Sequence, residues 1–317
     1  MELDGLKNEK DVAILMSTFN GAAYISQQIA SIRAQSYGDW TLYIRDDGST
    51  DATVSIIQKL MAVDRRLVLC AEPNPVNLGP ARSFMSLLAK VEADYYLFAD
   101  QDDFWLPDKI EKTLSVMQRL NQHDPNLVHT NLALTDQDLN VLVPSFNEVA
   151  YDDVQSLLLA NDVTGCTVMI NRQLRDLVRQ QAAIPCMHDM WLGLVAAKFG
   201  NVAYIKEPTI WYRQHGGNVV GSTTSKVAKV KAFNSAAEKE RLVTTVLTAR
   251  GLLKVYGNHF SSAERQTVTT LAQLGKVSLL KALWRLHRQH IHKQSFLTTA
   301  SFFLKLTLNY SSLKRIV

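Results

Sequence analysis

Over its first two hundred residues the chain alternates short apolar runs with helix-like segments, and this alternation limits its fold more than any other feature. Residues 12–16, 40–44, 67–69 and 95–99 read as strands, apolar enough to be buried on both faces. Between them lie helical segments. Residues 24–34 carry Ile25, Ile29 and Ile32 on one face, and residues 51–61 form a second helix. Gly79-Pro80 opens a third, running to about residue 90, and Pro107 opens a fourth, to about residue 120. A βαβα order of this kind predicts an α/β fold with a largely parallel sheet covered by helices. From residue 127 the pattern is less regular, with strands over 127–134, 166–170 and 209–213 and a helix over 189–199.

Small polar and acidic residues sit at the ends of the strands. Asp100-Gln101-Asp102-Asp103 follows the run 95–99. Three carboxylates at the end of a buried strand repel one another, and oxygen donors of this kind suit Mg²⁺ or Mn²⁺. Ligands of α/β sheets bind where parallel strands end, so such a cation is expected to hold the diphosphate of a nucleotide. The first strand ends in Ser17-Thr18-Phe19-Asn20-Gly21 and the second in Asp46-Asp47-Gly48-Ser49-Thr50-Asp51. Helix capping accounts for Ser49, Thr50 or Asp51. It leaves the Asp46-Asp47 pair unexplained, and a carboxylate there can accept the ring N–H of a uracil or thymine base. Gly79 and Arg82 belong either to an ordinary capped loop or to a helix N-terminus close to the nucleotide. Asp108 and Glu111 read as ordinary acids of a first helical turn.

Two later segments add chemistry. Asp189, in His188-Asp189-Met190-Trp191, is either a helix N-cap or a general base for an attacking hydroxyl. Arg213 and His215 alternate along a strand end and so are expected to point the same way, toward a diphosphate, with His215 completing a metal shell. The glycines after His215 would let a loop close over the ligand.

Charge divides the chain. Residues 223–317 hold 16 Lys+Arg against 3 Asp+Glu, whereas residues 1–222 hold 18 against 27. The expected organisation is a catalytic domain over 1–221, a linker near 221–225, and a basic amphipathic helical region over 222–317. Leu279, Leu280, Leu283, Trp284 and Leu286 alternate there with Lys281, Arg285 and Arg288. Such helices pack as an appendage, lie on an anionic membrane, or join copies of the chain. No nucleic-acid-binding motif is present, so nucleic acid is not an expected partner. No apolar run reaches the length of a spanning helix. The N-terminus does not read as a signal peptide, and the three cysteines read as reduced thiols of a cytoplasmic protein.

Taken in order, Ser-Thr-Phe-Asn-Gly, Asp-Asp-Gly-Ser-Thr-Asp, Asp-Gln-Asp-Asp with a following Trp-x-Pro-Asp, His-Asp-x-Trp and Tyr-Arg-Gln-His resemble the family 2 glycosyltransferases over residues 12–221. The resemblance implies a GT-A fold, a Rossmann-like mixed but mostly parallel sheet flanked by helices, followed here by the helical appendage. It implies a nucleotide-sugar donor, a divalent cation and inversion at the anomeric carbon. It implies Asp47 at the base, Asp100 and Asp102 at ribose and metal, and Asp189 as catalytic base. Ser17, Phe19 and Asn20 would meet the base mainly through their backbone; Ser17 stands where the family usually has Pro, and Phe19 where it has Tyr. The segments 98–103, 187–189 and 212–221 are most similar to bacterial rhamnosyltransferases of rhamnan and O-antigen assembly. That implies dTDP-β-L-rhamnose as donor and an α-L-rhamnoside as product; the membrane reading of the C-terminal helices fits a polyprenyl-linked saccharide as acceptor and a place on the inner face of the membrane. Other expectations to weigh are a UDP-glucose, UDP-galactose or UDP-GlcNAc donor, a nucleotidyltransferase, and a non-catalytic membrane adaptor.

Overall fold

The computed structural model describes residues 6–7, 12–70, 76–147, 149–181, 184–215, 236–291 and 296–316. They fall into two compact units. One is drawn from residues within 1–152, 162–183 and 187–219, the other from residues within 153–161, 184–186 and 220–317. The loop over 216–218 and the linker over 221–225 lie outside the described residues.

In chain order the elements are β1 (Leu6–Lys7), β2 (Val12–Thr18), α1 (Ile25–Arg33), β3 (Trp40–Asp46), α2 (Thr53–Met61), β4 (Leu67–Leu69), α3 (Pro80–Lys90) and β5 (Val91–Glu92). There follow β6 (Tyr95–Ala99), β7 (Phe104–Trp105), α4 (Lys109–Met117), β8 (Asn126–Thr135), β9 (Val141–Val143) and α5 (Val154–Leu159). Then come β10 (Val168–Asn171), α6 (Arg172–Val178), α7 (His188–Phe199) and β11 (Asn201–Arg213). The last four are α8 (Ala236–Tyr256), α9 (Ser262–Ala272), α10 (Leu279–Arg288) and α11 (Phe296–Ile316).

The first unit is built on a mixed nine-stranded sheet among the described residues, in the order β4-β3-β2-β6-β10-β8-β11-β7, with β9 on β8. Its longer ladders, β2 with β3 and β6 and β8 with β11, are parallel. The expected α/β class with a mostly parallel sheet is therefore what forms. Strands β2, β3 and β6 are buried along almost their whole length, which is why they are apolar at consecutive positions. The core beneath α1, α2 and α4 includes Ile14, Ile29, Trp40, Ile57, Leu97 and Ile110.

The antiparallel pairings place the site. β10 runs against β6, with Met169 opposite Leu97, so the start of β10 lies at the end of β6. Short β7 turns back and pairs with β11, with Trp211 opposite Phe104. The end of β11 is thereby brought beside Asp102 and Asp103. At the opposite edge, buried Arg175 of α6 donates to the carbonyls of Leu88, Ala89 and Val91, satisfying the otherwise open end of α3.

The second unit is helical, as expected for the basic region, and also includes α5. Asp153 caps α5, accepting the Ser156 N–H at 2.9 Å. Its core contains Leu158, Leu242, Val246, Leu271, Leu286 and Leu306. Ser261 and Glu264 form a reciprocal capping box at the start of α9. None of the three cysteines forms a disulfide.

Candidate active site

The ends of β2, β3 and β6, the start of β10 and the end of β11 meet at one edge of the sheet, and most expected site residues lie there. The β2–α1 turn is held by neighbours at nearly every backbone group. Gln101 Oε1 accepts the Phe19 N–H at 2.9 Å, and its Nε2 donates to the Phe19 carbonyl at 3.0 Å. The N–H groups of Asn20, Gly21 and Ala22 donate to Ser49, Thr53 and Asp51. Asn20 has φ +49° and its side chain accepts the Thr50 N–H at 2.8 Å. Ser17 donates to Ser83 at 2.6 Å. The N–H groups of residues 19–22, expected to include the contact to a base, are thus already engaged by side chains of neighbouring segments. What the turn presents outward is the Phe19 ring, 47% exposed. Gln101 was not singled out by type, although it stands inside the acidic motif. A Cβ on Gly21 would run into its amide.

Asp46 and Asp47 have separate tasks. Asp46 organises its own turn, accepting from Thr18, Gly48 and Ser49. Asp47, only 3% exposed, accepts the N–H groups of Leu78 and Gly79 at 2.8 Å each and pairs with buried Arg45. The carboxylate expected to face a base is thus enclosed by the loop before α3, and as placed it shapes that loop. Gly79, at φ +73°, is the N-cap of α3. Arg82 in the first turn of α3 is exposed and has no hydrogen bond or ion pair among the described residues. A cation is unfavourable at a helix N-terminus, so nothing in the helix itself calls for Arg82 there.

The acid cluster is more buried than its sequence suggests. Burial pushes Asp100 up to about 7, aided by Asp102 and Asp189. Asp103 is 1% exposed; burial and its acidic neighbours push it far up, and its Oδ2 has no partner among the described residues. Oxygens of Asp100 and Asp103 and the thiol of Cys166 lie within 4.8 Å of one another. Fully buried Lys109, lowered to about 8 by desolvation, sits 4.9 Å from the Trp105 ring and 3.4 Å from the Thr209 hydroxyl. Sequence reasoning missed Lys109 and Cys166, and it took Asp103 for a supporting group. Asp108 and Glu111 are outside the site, as expected: Asp108 pairs with Lys112, and Glu111 accepts from Ser36.

Such an excess of buried carboxylate, one oxygen of it unpartnered, fits a divalent cation. His215 Nε2 lies 2.8 Å from Asp102 Oδ2. The two groups hydrogen-bond directly, so both stand at the same point of the acid loop.

Arg213 departs from expectation. It is 3% exposed, and its Nε donates to the Asp102 carbonyl at 2.7 Å. Nη2 donates to Gln27 at 2.6 Å and Nη1 to the Gln137 carbonyl. It is a buried strap joining the acid loop to α1, not a free phosphate ligand. Arg213 and His215 do share a surface, the Tyr24 ring, which lies 4.9 Å from the guanidinium and 4.7 Å from the imidazole.

Asp189 is not an N-cap, since Met187 holds that position. Its Oδ1 accepts the Met190 N–H at 2.6 Å and its Oδ2 the Gly165 N–H at 3.0 Å. Burial nevertheless raises it to about 6. Beside it His188 is 2% exposed, packed on Phe84 and Phe98 at 4.3 and 5.1 Å, and kept neutral by burial, down to about 3. Such a carboxylate is ionised at neutral pH yet close enough to it to take and return a proton.

The sequence model described as Glycosyl transferase family 2 matches residues 13–177. The chain belongs to glycosyl transferase family 2. Its members' chemistry accounts for an acidic site at strand ends and sets aside the nucleotidyltransferase and adaptor expectations. The chain is 26% identical over 304 residues to the dTDP-rhamnosyl transferase RfbG of Shigella flexneri, covering 88% of this chain and 96% of that protein. It is 35% identical over 170 residues to an uncharacterized glycosyltransferase of Haemophilus influenzae (strain ATCC 51907 / DSM 11121 / KW20 / Rd), covering 53% of this chain and 65% of that one. Its fold is similar to the crystal structure of S. aureus TarS 1-349, with TM-score 0.58, 14% identity, and coverage of 96% and 90% of the two chains. The chain is thus a glycosyltransferase with the GT-A type of fold, acting on a nucleotide-sugar donor.

Proposed function

We propose that this glycosyltransferase moves L-rhamnose from dTDP-β-L-rhamnose to a saccharide carried on a polyprenyl diphosphate at the inner face of the cell membrane, inverting the anomeric carbon. The observation that carries the reaction is Asp189, a buried carboxylate raised to about 6 and oriented by two backbone amides at the sheet edge. Asp189 takes the proton of an acceptor hydroxyl as that oxygen attacks the anomeric carbon. The bond from that carbon to the diphosphate breaks with its electron pair leaving on the nucleotide, so one displacement inverts the centre.

Asp100, Asp102 and His215 would hold a Mg²⁺ or Mn²⁺ ion, which supplies positive charge for the departing diphosphate. Arg82, an exposed cation beside the Asp47 loop, is the better candidate for the nucleotide now that Arg213 is buried. Asp47 and Gly79 fix the loop that leads into its helix, and Ser17, Phe19 and Asn20 would form a neighbouring wall of the nucleotide site. The rhamnosyl donor is supported by the similarity to RfbG, which extends over nearly the whole of both chains.

Thermal shift with dTDP-rhamnose, UDP-glucose, UDP-galactose and UDP-GlcNAc, each with and without Mn²⁺, tests this reading. The largest shift is expected with dTDP-rhamnose and Mn²⁺ together. A larger shift with any UDP-sugar would overturn the donor, and a shift indifferent to Mn²⁺ would overturn the metal.

A further inference from the structure

The helix α10 of the second unit has two opposed faces. Ala282 and Leu286 are buried, at 1% and 0% exposure. On the other side Leu280 is 80% and Trp284 55% exposed. Four residues apart, they stand one turn above the other on the same face. Lys281 and Arg288 border them, both exposed, and the Arg288 guanidinium lies 5.0 Å from the Trp284 ring. Neither cation forms an ion pair among the described residues, and from Arg265 to Val317 the sequence contains no Asp or Glu at all.

We propose that this face of α10 docks the chain on an anionic lipid bilayer, with Leu280 and Trp284 entering the headgroup layer and Lys281 and Arg288 meeting lipid phosphates. This deepens the membrane part of the reading above and rests on it for its purpose.

Charge complementarity selects the occupant. A second copy of the chain packed face to face would set the same unpaired cations against each other. A nucleic acid would use the cations and leave Leu280 and Trp284 in water. An anionic bilayer takes both, because apolar side chains gain by leaving water while basic groups stay at the phosphates. Tryptophan with a neighbouring arginine is well suited to that depth, one end apolar and the other wet. No helix among the described residues is long and apolar enough to cross a membrane, so the helix lies along the surface.

The test uses the full chain with vesicles of phosphatidylcholine alone, or with about one-third phosphatidylglycerol to make them anionic. Trp40, Trp105 and Trp191 are at most 1% exposed, and Trp211 is half-buried and stacked on Phe104, so Trp284 is the most exposed tryptophan and the Trp284→Phe variant assigns a change in emission to it. Anionic vesicles are expected to shift the emission to the blue and to quench it when their acyl chains are brominated. Trp284→Phe should lose that signal while still co-sedimenting. Leu280→Ser with Trp284→Ser should weaken co-sedimentation about ten-fold or more. Each of Lys281→Glu and Arg288→Glu should weaken it about five-fold or more. Equal binding to neutral vesicles, or unchanged binding by the double serine variant, would overturn the proposal. So would a lipid-free blue shift that grows with protein concentration alongside a doubled mass, because the face would then be a contact between copies. The double serine variant should keep the wild-type thermal shift with donor. A failure here therefore leaves the transferase reading standing, and a failure of that reading shows in the donor shift alone.

Discussion

Gly165→Ala is the substitution on which the geometry around Asp189 bears most heavily. A Cβ at position 165 would sit 2.8 Å from His188 Nε2 and 3.0 Å from its Cε1. Ordinary contact between such atoms is about 3.5 Å or more, so a gap of about 0.7 Å must open. His188 cannot supply it easily, because its ring is 2% exposed and packed on Phe84 and Phe98. Overpacking of this kind costs about 1–3 kcal/mol. The displacement also reaches Asp189, which follows His188 directly and whose Oδ2 accepts the Gly165 N–H. A reacting group moved by about 1 Å loses about 100-fold in rate. The expected result is a lower urea midpoint together with a fall in kcat of tens- to a hundred-fold, measured with donor and acceptor saturating. Adding His188→Ala removes the obstructing ring, so the double variant should lose less kcat than the product of the two single losses. A Gly165→Ala enzyme with wild-type kcat and urea midpoint would refute this account of how Asp189 is held.

Arg213→Lys removes the fork that spans Asp102, Gln27 and Gln137, leaving buried acceptors unpaired; a stability loss of about 2–4 kcal/mol in urea is expected, and none is expected if the guanidinium serves only a ligand. Gln101→Ala loses both bonds to the Phe19 backbone, about 1 kcal/mol of stability, and should weaken donor binding in titration calorimetry more than it lowers kcat. Asp100, raised to about 7, and Asp103, raised by burial and its acidic neighbours, hold more protons folded than unfolded, so in chelator stability should fall as pH rises from about 4 through about 7, and the fall between about 6.5 and 7.5 is the part to measure. The buried histidines His129 and His188, lowered to about 4 and 3, act in the opposite direction only below about 6.5. Asp103→Asn should flatten the fall, and urea midpoints at the two pH values check it.

The strands were legible because burial on both faces leaves a run of apolar residues that nothing else in the chain imitates: 12–16 and 95–99 appear nearly as read. The site's position followed, since strand ends could be marked by their acids. What sequence could not supply was which group at a strand end faces inward. Asp46 closes β3 and Asp47 begins a turn, so alternation along a strand no longer decides their directions. Arg213 and His215 show the same limit: β11 ends at Arg213, and what the two share is contact with the Tyr24 ring. Lys109 and Cys166 belong to an ordinary helix and strand start, and only the antiparallel insertion of β10 next to β6 brings Cys166 to Asp100 and Asp103. Short α5 has one good cap and too few turns to stand out, and its packing is set by distant helices.

The measurement that bears most directly on the account is transfer by Asp189→Asn, with donor affinity determined on the same preparation. Asparagine preserves the size of the side chain and can still accept one of the two backbone amides, from Gly165 or Met190, but it gives up the other bond and cannot take a proton. Transfer to the acceptor is predicted to fall about 100- to 10,000-fold while donor binding stays within a few-fold of wild type. An Asp189→Asn enzyme that transfers sugar at the wild-type rate would contradict it.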